Sequence, residues 1–161
     1  MKADSDEQQL RAFFAKYTPA IAALGKALRS KLRKRLPGAV ELVYDNYNAL
    51  VIAFAPSERA SEAIFSIALY PRWVNLFFAA GAGLPDPQHL LQGDGKAIRH
   101  VVLHAAADFD QPALQALLTH ALKRAAKPLD ASAKRRLIIK SVAPRQRPRR
   151  PATPEKAEKP R

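Results

Sequence analysis

Apolar positions along the chain change period at Val40. Before it they recur at helical spacing: Leu10, Phe13 and Phe14 share one face, and Ile21, Leu24, Leu28 and Leu32 form a second stripe. Thr18-Pro19 separates the two, Thr18 as an N-cap and Pro19 at a first helical position. The pattern therefore predicts helices over Asp4–Lys16 and from Pro19 to about Arg35. After Pro37-Gly38 the period becomes two. Val40, Leu42 and Tyr44 alternate onto one face, and Leu50, Ile52 and Phe54 do the same after a reversal at Asp45-Asn46. A helix running into an antiparallel hairpin is thus legible.

The polar stretch PSERASE leads to two further strands, with Phe65, Ile67 and Leu69 inward in the first and Val74, Leu76 and Phe78 inward in the second. Tyr70-Pro71-Arg72-Trp73 links them. Gly81 to Pro87 predicts a loop, and Asp86-Pro87 the start of a short helix to about Leu91. A turn at Gly93-Asp94-Gly95 precedes a fifth strand over Ala97–Leu103. Asp110 to Lys127 follows as a helix capped by Asp110, with Leu114, Leu117, Leu118 and Leu122 inward, stopped at Lys127-Pro128. Arg136 to Val142 is strand-like. Together these predict an α+β domain over residues 1–143.

Composition changes that picture at the C-terminus. PRQRPRRPATPEKAEKPR holds five prolines and no aromatic or branched aliphatic residue. Such a segment buries too little to offset its ordering entropy, which predicts a disordered tail over 144–161 whose removal leaves the fold intact. The net charge of +13 is also localised: residues 134–161 hold 11 Lys/Arg against two Glu, and Lys26 to Arg35 supplies six more cations. The N-terminus lacks the apolar run of a secretory leader, no stretch has the ~20 apolar residues of a membrane span, and there is no cysteine. These features predict a cytoplasmic protein without membrane association, disulfides or thiolate metal sites.

The charge distribution points to a partner class. Lys26, Arg29, Arg33, Lys34 and Arg35 on the second helix, with Arg145, Arg147, Arg149 and Arg150 in the tail, are candidate contacts for a polyanion such as nucleic acid, bound without sequence preference. The helical cations also suit a solvated face and complement the helix dipole. Tyr44, Tyr47, Tyr70 and Trp73 gather at strand ends. With Arg72, Lys96, Arg99 and His100 they are candidates for a small-molecule pocket, or for a half-buried sheet rim.

Catalytic patterns are lacking. His100 and His104 share a strand face but stand ~13 Å apart, too far for one metal ion. Gly93-Asp94-Gly95-Lys96 lacks both the spacing of a phosphate loop and its Ser/Thr, since Ala97 follows. No nucleophile elbow or HExxH occurs. The residues predict a non-enzymatic binding module without a cofactor.

The stretch YTPAIAALGKALRSKLRKRLPGAVELVYDNYNALVIAF, followed by LLQGDGKAIRHVVL and a helix, resembles the YdhG-like domain family, a domain of unknown function. The likeness spans roughly Phe13 to Ala126 on the scale at which such patterns are readable. It rests on Tyr17 and Pro19, the leucine-rich helix, Pro37 and Glu41, the Tyr44 turn, and the run from Gly95 to Arg99. It implies an antiparallel sheet of about five to six strands covered by N- and C-terminal helices, matching the strand count above. It also implies, from one branch of that family, frataxin-like intracellular iron chaperone activity as an alternative. Frataxin-type iron binding uses an acidic ridge, whereas the comparable helix here ends in cations.

Overall fold

A computed structural model describes residues 2–152. Three helices lie over a six-stranded sheet of order β5-β4-β3-β2-β1-β6. The helices are α1 (Lys2–Ala15), α2 (Pro19–Arg35) and α3 (Pro112–Arg124). The strands are β1 (Val40–Asp45), β2 (Leu50–Ala55), β3 (Phe65–Leu69), β4 (Val74–Phe78), β5 (Arg99–Leu103) and β6 (Arg136–Val142). The α+β class and the helix–hairpin start agree with the sequence pattern. Every neighbouring pair is antiparallel except β1 and β6, which run parallel with a bulge between Val43 and Tyr44. The expectation of an antiparallel sheet is corrected at that pair. Strand β6 arrives after α3 has crossed from the far edge, which lets it lie alongside β1 in the same direction.

One cluster holds most of the core: Leu10, Phe14, Leu28 and Leu32 from the first two helices, Leu114 and Leu118 from α3, and Ile52, Ile67 and Leu76 from the sheet. Gly25 of α2 lets the Leu69 side chain of β3 pack closely on the helix; a Cβ there would lie 2.6 Å from Leu69 Cδ2. Gly38 ends the turn after α2 at φ 81°, a left-handed conformation that suits glycine, and a Cβ would meet the Asp130 carbonyl oxygen.

Leu50, Ile52 and Phe54 face the helices, whereas Val40, Leu42 and Tyr44 face away, in a smaller cluster with Ala53, Ala55 and Ile138. Glu41, Val43 and Asp45 take the helix-facing positions of β1, and all three are buried. Asp45 is not a turn residue; it pairs with Leu50, and Asn46 to Ala49 make the reversal.

Other boundaries move for local reasons. The segment after Asp86 is a turn, not a helix: the Asp86 carboxylate accepts from the Leu90 and Leu91 N–H groups, and His89 is left-handed at φ 56°. The fifth strand is two residues shorter than expected. Helix α3 begins at Pro112, and Asp110 binds Lys31 while Asp108 accepts the N–H groups of His104 and Ala105.

The largest correction concerns the C-terminal segment. Residues 144–152 lack regular structure yet are fastened to the domain. Ala143 N–H donates to the Asp45 carbonyl, Arg147 N–H to the Tyr47 carbonyl, and Arg149 is 5% exposed. The expected disorder does not hold there. Buried ionic hydrogen bonding anchors this stretch, a device that apolar content does not reveal. Residues 153–161 of the expected tail lie outside the described residues. Among the described residues no helix is long and apolar enough to cross a membrane.

Candidate functional site

The site is organised around the Asp45 end of β1. Asp45 is fully buried and its carboxylate receives two cations: Lys16 Nζ at 2.7 Å and Arg149 Nη2 at 2.8 Å. Burial alone would push this carboxyl up, but hydrogen bonds from Lys16, Gln146 and Arg149 outweigh it and hold the group below the usual carboxylate range. Arg149 also donates to the Asn46 carbonyl at 2.6 Å, and its guanidinium lies 5.8 Å from the Tyr17 ring centre. Tyr17 completes the node. Its buried hydroxyl donates to the Leu69 carbonyl and accepts from Leu50 N–H, closing the ends of β2 and β3, and burial raises its pKa.

Fixing Arg149 inward fixes its neighbours outward. Arg145, Arg147 and Arg150 are exposed. Arg150 Nε and Nη2 donate to the carbonyls of Lys16 and Ala15, the free acceptors at the end of α1. Arg145 and Arg147 have no side-chain hydrogen bond or ion pair among the described residues. Beside them, the turn between β3 and β4 is closed by Tyr70 N–H donating to the Trp73 carbonyl. This turn stacks the Tyr70 and Trp73 rings at 5.6 Å with 27° between planes. A cleft of about 550 Å³ runs between the two elements, lined by Asn48, Tyr70, Pro71, Trp73, Arg147, Pro148 and Arg150.

Two groups of sequence candidates therefore converge: the aromatics Tyr70 and Trp73 meet the tail arginines. The rest of the expected pocket does not assemble with them. Tyr44 lies on the opposite sheet face, with its hydroxyl buried and unpaired. Tyr47 is exposed on the reversal and Arg72 on the β3–β4 turn. Arg99 pairs with Phe78, at the other end of β4 from Trp73, roughly 17 Å along the strand. Its guanidinium donates to the Gly95 and Ile98 carbonyls. Lys96 is exposed beside it, and His100 packs on Phe77.

The basic helix divides as well. Arg29 grips Glu41 with Nε at 2.6 Å and Nη2 at 2.9 Å, and also holds Glu7. Those carboxylates keep the Arg29 pKa raised against the cost of burial. Arg33 lies 3.5 Å from Glu41, Lys31 binds Asp110, and Arg35 donates to Gln115 and Thr119. Lys26 and Lys34 stay exposed, flanking a shallow cleft of about 290 Å³ with Ser30 and Arg135. Most of this face is therefore internal stitching.

Asn48 and Gln146 are site residues that sequence reasoning missed. Gln146 accepts from Lys16 and donates to the Asp45 carbonyl. Their only signal is proximity to the Asp45-Asn46 reversal and to the arginine cluster. Among the described residues no group of three or more His, Asp or Glu is placed to hold a metal ion. Comparison of the chain with protein-family models, with curated proteins and with solved structures finds no match.

Proposed function

We propose that this protein is a non-enzymatic binding module for polyanions, nucleic acid foremost, and that its C-terminal basic segment is the principal contact. The observation that carries this reading is the inward anchoring of Arg149, which leaves Arg145, Arg147 and Arg150 exposed on an ordered segment. Preordering lowers the entropy lost when the cations meet a phosphate backbone. Lys26 and Lys34 add a second, smaller cationic area on α2. The four tail arginines of the sequence pattern become three, because Arg149 neutralises Asp45 instead of a phosphate.

Fluorescence anisotropy on two unrelated duplexes across a salt series tests the proposal. Three phosphate contacts give a log–log slope of about −2.7 on duplex DNA. Both duplexes should bind alike, since the segment carries no element that enters a groove to read base edges. Replacing Arg145 and Arg147 by Ser should flatten the slope by about 2. Equal binding by the wild type and this double variant would overturn the assignment to the C-terminal segment.

A further inference from the structure

The cleft beside the arginines has a chemistry that phosphate binding alone does not use. We infer that it takes an unpaired nucleobase, so that the ligand class is single-stranded nucleic acid; this rests on the polyanion reading above and narrows it.

The argument starts from the β3–β4 turn. Pro71 and the bond from Tyr70 N–H to the Trp73 carbonyl fix a tight reversal, and the two rings stack across it. Stacking holds Trp73 in one orientation while leaving it 37% exposed, although a side chain of that size is ordinarily well covered. A prealigned aromatic face at the mouth of a cleft is a platform for another flat ring. Arg147 and Arg150 border the same cleft, within reach of the phosphates that flank a stacked base. Asn48 offers an amide, with both donor and acceptor, to a base edge. At about 550 Å³ the cleft falls within the ~300–1,000 Å³ range of small-ligand sites.

Aromatic stacking beside a cationic track is the arrangement by which single strands are held with little sequence preference. In a duplex the base faces are covered by neighbouring pairs, so Trp73 gains nothing from it. The electrostatic contribution serves both forms; the aromatic contribution serves the single strand.

Trp73 is the one tryptophan in the chain, so its emission reports on this cleft directly. The experiment uses the full chain with a short labelled oligonucleotide, single-stranded or annealed to its complement, and with a mononucleotide as a third arm. The expected result is saturable quenching of Trp73 by the single strand, with tighter binding than for the duplex. Trp73→Ala should weaken single-strand binding roughly 5- to 100-fold and leave duplex binding unchanged. Trp73→Phe, which keeps a ring, should restore much of the loss and controls for folding. Equal affinity for both forms without quenching would overturn the base-stacking inference and leave the polyanion reading standing. Failure of every oligonucleotide to bind would overturn both. Quenching by the mononucleotide at the same concentration as the strand would also sink the inference, in favour of a free nucleotide.

Discussion

Glu41 and Asp45 sit four residues apart on the helix-facing side of β1, both buried and both met by arginine, yet the two nodes do different work. Glu41 is held by Arg29 and Arg33 from α2, the element just before β1, and Glu7 from α1 shares the load. Asp45 is held by Lys16 and by Arg149, which lie on either side of it in sequence and far from it in the chain. The first node balances two acids with two arginines and locks a helix to its own strand. The second places two cations on one acid and fastens a segment that has no aromatic or branched aliphatic residue with which to fasten itself. Opposite charges near in sequence make local architecture; opposite charges far apart bring distant segments together.

The contrast is broken most forcefully at Asp45. Asp45→Asn leaves Arg149 buried opposite a neutral group, and a loss of about 3–5 kcal/mol is expected in denaturant unfolding. Ending the chain after Pro148 removes the same pair from the other side and should also lower the melting temperature, against the neutrality that composition alone predicts. Glu41→Gln should cost less, about 1–3 kcal/mol, because Arg29 keeps Glu7 and is closer to solvent. If Glu41→Gln proves the more damaging in side-by-side melts, the ranking of the two nodes is reversed.

Acid sharpens the comparison. The Asp45 pKa is depressed on folding, so its stabilising contribution is fully present above its unfolded value of about 3.9 and is lost as pH falls through the lower folded value. The stability gap between wild type and Asp45→Asn should therefore be constant near neutrality and close below about pH 4. A gap that persists at lower pH would show that the carboxylate charge is not what holds Arg149. The smallest effect on stability is expected from Arg145→Ser with Arg147→Ser: within about 0.5 kcal/mol, while nucleic-acid binding falls. A large melting shift in that double variant would mean these side chains have partners in the fold.

The parts of the fold that followed from the sequence are those built by local periodicity. Helix α2 runs from Pro19 to Arg35 as its cap and stripe indicate, and β3 and β4 present Phe65, Ile67, Leu69, Val74, Leu76 and Phe78 inward. Alternation was ambiguous in β1, because both faces are buried there and the helix-facing one carries two charges. The parallel pairing of β6 depends on where α3 delivers the chain, which period cannot show. At the site, Tyr70 and Trp73 were visible only as two of four aromatics at strand ends, with Tyr44 and Tyr47, and the tail arginines as a charge cluster. Their meeting was not, because it hangs on long-range contacts, the buried Asp45–Arg149 pair and the hydrogen bonds of Arg147 and Arg150, that no local pattern announces.

The parallel pairing of β6 with β1 also orders events during synthesis. β1 is followed directly in the chain by its partner β2, but its other edge must wait for Arg136 to Val142. Until then the nascent domain presents an unfilled row of backbone donors and acceptors, the kind of edge that recruits other chains. The carboxylate of Asp45 waits longer still, for Arg149. A chain that ends before Arg136 keeps that edge open, and one that ends before Arg149 leaves Lys16 alone to answer the buried charge of Asp45.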